Sequence, residues 1–64
     1  MEIRELTEEQ KNAIRSAYRA PGRGVKAVAE RLKATGVPLV TCTAWLMLTG
    51  VISYTDMLKL NQEV

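Results

Sequence analysis

Residues 34–55 read ATGVPLVTCTAWLMLTGVISYT, 22 positions without one charged side chain. Thirteen of the sixteen charges in the 64-residue chain precede this stretch, and only Asp56, Lys59 and Glu63 follow it. The alternatives for such a block are a membrane span, a buried helix, or a surface that pairs with another protein. A span needs about 20 predominantly apolar residues. Here Gly36, Pro38 and Gly50 interrupt the run, and Thr35, Thr41, Thr43, Thr49, Ser53 and Thr55 dilute it. The continuous apolar part, Ala44 to Leu48, is short, so no membrane span is expected and the block is read as part of a folded domain.

Working outward, the block divides into two helices. Pro38 is tolerated in a first helical turn, and Gly50 is a stop, so a helix is expected from near Pro38 to about Thr49. It is apolar nearly all round. Val40, Thr41 and Thr43 lower its helix propensity because β-branching restricts their rotamers, which keeps a strand over 39–46 as the rival reading. Ser53-Tyr54-Thr55-Asp56 has the form of a second helix start, and a helix over 54–62 is expected, with Met57, Leu58 and Leu60 available to pack.

Before the block, Thr7-Glu8-Glu9-Gln10 has the form of a capping box, and the two glutamates suit the positive end of a helix dipole. A helix is expected over 7–20, with Leu6, Ala13, Ile14, Ala17 and Tyr18 on one face and Pro21-Gly22 ending it. Val25, Val28, Ala29 and Leu32 then follow the i, i+3, i+4, i+7 spacing of an amphipathic helix over 25–35. Lys26, Glu30, Arg31 and Lys33 are its solvated side, and Gly36 its C-terminal left-handed residue. The fold class expected is therefore all-α, a three- to four-helix bundle in a single domain spanning 1–64.

Composition excludes several functions. A chain of this size buries only about 60% of the surface its unfolded form exposes, and small domains commonly rely on a staple or a partner. Cys42 is the only cysteine and there is no histidine, so neither an internal disulfide nor a zinc cluster is expected. Cys42 reads as a small buried hydrophobe, and the absence of disulfides fits a reducing, cytoplasmic setting. The charged N-terminus MEIRELTEEQK lacks the layout of a secretory signal. Glu2, Glu5, Glu8 and Glu9 are helix-start chemistry, and Gly22-Arg23-Gly24 is too short for a phosphate loop. No catalytic residues and no cofactor are expected, and the protein is not read as an enzyme.

Charge distribution offers one binding candidate. Residues 1–33 hold eight Lys/Arg against five Glu. Lys11, Arg15 and Arg19 recur every four residues along the first helix, and Arg23 and Lys26 extend the stripe through the turn. Phosphate contacts come from such clusters; a solvated helix face is the competing reading.

From Lys26 to Leu46 the chain resembles a helix-turn-helix unit with a lengthened turn. Ala29 sits where that family wants a small residue, Val28 and Leu32 supply the core side of the first helix, Gly36-Val37 matches the turn, and Cys42 and Trp45 fall where the second helix sends core residues inward. With the preceding helix, this is similar to the three-helix DNA-binding domains of transposases, resolvases and small phage regulators. The resemblance implies a transcriptional regulator, homodimeric, binding double-stranded DNA. Lys11, Arg15, Arg19, Arg23 and Lys26 would contact phosphate, and Thr41 and Thr43 would be presented to the major groove. One departure stands out: the outward positions of the recognition helix, Pro38, Leu39, Val40, Thr43, Ala44 and Met47, carry none of the Arg, Lys, Asn or Gln that base readout normally uses. The alternative is a protein-binding antiactivator, adaptor or dimerisation module, its partner interface formed by Leu39, Val40, Met47 and Leu48, a surplus of apolar residues that marks a partner when exposed.

Overall fold

Thr7 starts the first helix in the expected way. Its hydroxyl accepts from the Gln10 backbone N–H at 3.1 Å, and its own N–H donates to Gln10 Oε1 at 2.9 Å, which completes the capping box. In the computed structural model, which describes residues 2–64, helix α1 runs Glu8–Arg19, α2 Val25–Lys33, α3 Leu39–Leu48 and α4 Tyr54–Asn61. A short 3₁₀ turn, Ile3–Glu5, precedes them. Among the described residues there is no strand: the run over 39–46 is helical, and the protein is an all-α bundle.

Each boundary has a local cause. Ala20 is extended (ψ 152°) because the ring of Pro21 excludes the helical region for the residue before it, which ends α1. Gly50 adopts φ 81°, with Gly50 N–H donating to Met47 O and Val51 N–H to Leu46 O. That pair of bonds is a Schellman motif, closing α3 on a residue without a Cβ. Ser53 caps α4 by accepting from the Asp56 N–H at 3.1 Å.

α2 and α3 together form the middle of the bundle. α3 packs on α4, on α2 and on the 3₁₀ turn, while α2 also packs on α1 and α4. One core cluster joins Leu6, Ile14, Val28, Ala29, Leu32, Val37, Leu39, Cys42, Trp45, Leu46, Ile52 and Leu60. Leu32, Cys42 and Leu46 are fully enclosed, so they link α2 to α3 at the middle of that cluster. Ala13 and Val25, expected on the inner faces of their helices, lie outside the buried set. No helix among the described residues is long and apolar enough to cross a membrane.

Candidate functional site

The helix expected to read DNA turns most of its polar groups inward. Thr43 is 0% exposed and Thr41 7%. The Thr43 hydroxyl donates to Asn61 Oδ1 of α4 at 2.6 Å, with the Val40 carbonyl at 3.1 Å as its alternative acceptor. Neither threonine is placed to meet a base edge, which corrects the expectation from sequence. The physical reason is the position of α3: with neighbours on several sides, it must bury most of its circumference, and Thr43 is absorbed by satisfying its hydroxyl on α4.

Leu39 is corrected in the same way. At 6% exposed it belongs to the core rather than to a partner surface, and a charge there would act on folding. Of the four apolar residues expected to face a partner, Val40 (53% exposed) and Leu48 (67%) do face solvent, and Met47 is half-buried against the core. Ala44, also half-buried, lies between the exposed pair. Val40, Ala44 and Leu48 are spaced i, i+4, i+8 and so form one narrow stripe along α3. An open hollow lies beside its N-terminal half, lined by Glu2, Ile3, Arg4, Thr41 and by Val40 and Ala44 themselves.

The basic stripe of α1 is broken up. Lys11 Nζ is 3.4 Å from Glu8 Oε1. Arg15 donates to Asn12 Oδ1 at 2.8 Å, and its guanidinium carbon lies 4.9 Å from the centroid of the Trp45 ring. Arg19, Arg23 and Lys26 are exposed, and among the described residues they have no ion-pair or hydrogen-bond partner. Arg19 and Arg23 line one hollow with Tyr18, Ala20, Gly22 and Val28. An adjoining hollow shares Tyr18, Arg23 and Val28 and adds Asp56 and Lys59 from α4.

Arg31 was expected on the solvated side of α2, yet it is half-buried and bridges two elements. Its Nε donates to Ala17 O (2.8 Å), Nη1 to Pro21 O (3.1 Å), and Nη2 to Ala20 O (3.2 Å) and Gly22 O (2.8 Å). These carbonyls end α1 or follow it, where intrahelical donors run out. The only signal in the sequence is that Pro21 and the turn after it leave acceptors in need of a donor; which cation supplies it depends on how α2 packs.

Cys42 is buried, and burial pushes its thiol above the ordinary value, as expected of a structural rather than a nucleophilic cysteine. No group of acidic or sulfur ligands among the described residues could hold a metal ion. No family model, curated protein or solved structure matches this chain.

Proposed function

We propose that this protein is a small protein-interaction module that docks through the outer stripe of α3, and that its first partner there is a second copy of the same chain. The observation that carries the reading is the inward placement of Thr41 and Thr43, which leaves Val40, Ala44 and Leu48 as the outward side of the helix. An apolar stripe without a donor or acceptor suits a helix face better than a base edge.

Symmetry supports the choice of occupant. A two-fold dimer places the same patch on both subunits. If two copies of α3 cross antiparallel at Ala44, the small residue sits at the axis and lets the backbones approach, while Val40 of one copy meets Leu48 of the other. The hollow beside Val40, lined by Ile3 and Ala44 together with Glu2, Arg4 and Thr41, lies where the incoming leucine would seat. No charge in 34–55 opposes its own copy across the axis.

Sedimentation velocity tests this. Wild-type protein at about 100 μM forms a dimer of modest affinity, in line with a single-helix contact below the standard interface size. Val40→Asp and Leu48→Asp each leave it monomeric with an unchanged helical circular-dichroism spectrum. A monomeric wild type, or a dimer indifferent to both substitutions, overturns the reading.

A further inference from the structure

The nine Lys and Arg side chains divide sharply by what they touch. Arg4, Lys11 and Lys33 pair with Glu2, Glu8 and Glu30. Arg15 lies over Trp45, and Arg31 is held by four carbonyls. The other four, Arg19, Arg23, Lys26 and Lys59, have no such partner among the described residues. Three of these four, from α1, the α1–α2 turn and α4, line the two adjoining hollows around Tyr18.

We propose that Arg19, Arg23 and Lys59, gathered around Tyr18, form a surface that binds the phosphate backbone of duplex DNA without selecting a base sequence. Guanidinium forks match phosphate oxygens. The hollow between Arg19 and Arg23 holds no acidic residue, whereas Asp56 occupies the second hollow beside Lys59 and opposes an anion there. A duplex presents a charge every ~1.7 Å of its axis, so cations spread over two hollows find phosphates without a fixed spacing. An acidic peptide would have to place each carboxylate individually. This surface shares no residue with the α3 stripe, so either proposal can fail alone. It also differs from the basic stripe expected from sequence: Lys11, Arg15 and Lys26 leave it, and Lys59, 36 positions after Arg23, joins it.

Anisotropy titration of the full chain with two labelled duplexes of unrelated sequence tests the proposal. Three phosphate contacts give a log–log salt slope of about −2.7, or about a 40-fold loss of affinity between 50 and 200 mM salt. Both duplexes bind within about two-fold of each other, as phosphate contacts carry no sequence information. Lys59→Gln and Arg23→Gln each reduce the slope by about 0.9, leaving about a 12-fold loss over the same salt range. Asp56→Asn tightens binding, and Lys33→Gln leaves the slope unchanged. Circular dichroism confirms that each variant is folded. No binding at about 100 μM protein in 50 mM salt, a slope indifferent to Lys59→Gln, or stronger binding to polyglutamate than to DNA overturns the proposal.

Discussion

The hydroxyl of Thr43 and the side-chain amide oxygen of Asn61 lie 2.6 Å apart, joining α3 to the last turn of α4 across the bundle. A hydroxyl 18 positions from its partner is enclosed among apolar neighbours because this bond satisfies it. Thr43→Val keeps the shape and removes the donor. The Asn61 amide is only half-buried and can turn to water, so the loss expected is about 1 kcal/mol, read as a lower urea midpoint with unchanged m. An unchanged midpoint would mean that the bond to Asn61 contributes nothing net to stability.

Arg31 makes the second long-range tie. Four carbonyls around the end of α1 converge on one guanidinium, and Gly22 stands so close that a Cβ there would lie 3.0 Å from Arg31 Nη1. Hydrogen bonds from a charged donor contribute more than neutral ones, and the partly exposed site moderates them. Arg31→Ala is expected to lower stability by about 2 kcal/mol, seen as a Tm drop of roughly 8–16 °C in a domain of this size. Arg31→Lys recovers less than half, because one ammonium cannot span acceptors that a planar fork reaches together. Gly22→Ala loses at least 1 kcal/mol through its positive φ of 104° alone. Combined with Arg31→Ala, its effect shrinks if the contact with the guanidinium contributes, a coupling that a double-mutant cycle measures.

These two ties mark what the sequence could and could not convey. Helix limits were legible because each is set locally: Thr7 with Gln10, Ala20 before Pro21, Gly50 after α3, and Ser53 with Asp56 all act within a few residues. The inward face of α2 followed from Val28, Ala29 and Leu32, and two core residues of α3, Cys42 and Trp45, were foreseen. Which side of an almost wholly apolar helix faces out was not legible, because a run without polar contrast has no periodic signal to read. Leu39, Thr41 and Thr43 were therefore placed outward when the packing of neighbouring elements on α3 turns them in. The convergence of Lys59 with Arg23, like the grip of Arg31 on α1, arises from tertiary packing and has no local trace.

Arg15 lies over the Trp45 ring, connecting α1 to α3 beside the core. A cation over an indole face contributes about 0.5–1 kcal/mol at a partly exposed site, and the aliphatic stem adds packing. Arg15→Met, which keeps most of the stem, is expected to lose about 0.5–1 kcal/mol, and Arg15→Ala more. Because Trp45 is the only tryptophan, its emission reports both the local change and the unfolding transition. Unchanged emission in Arg15→Ala would show that the cation does not sit on the ring in solution.

Cys42 gives the protein a pH dependence of definite sign. Its thiol is fully buried, and burial raises it above the ordinary value of 9.0, against a smaller opposing effect from Thr35. A raised value means that the folded state holds its proton where the unfolded state has begun to lose it, so stability falls as pH rises. The contribution is complete below about 9.0, the unfolded value, and is lost as pH climbs through the higher folded one. Lysine and tyrosine titrate in the same alkaline range, so the expected readout is a difference: wild type loses more stability above pH 9.0 than Cys42→Ala does. In the same window, native protein reacts slowly with a thiol reagent and urea-unfolded protein rapidly, since the thiolate is the reactive form. Equal rates in both states would place the thiol at the surface and remove the basis of the pH effect.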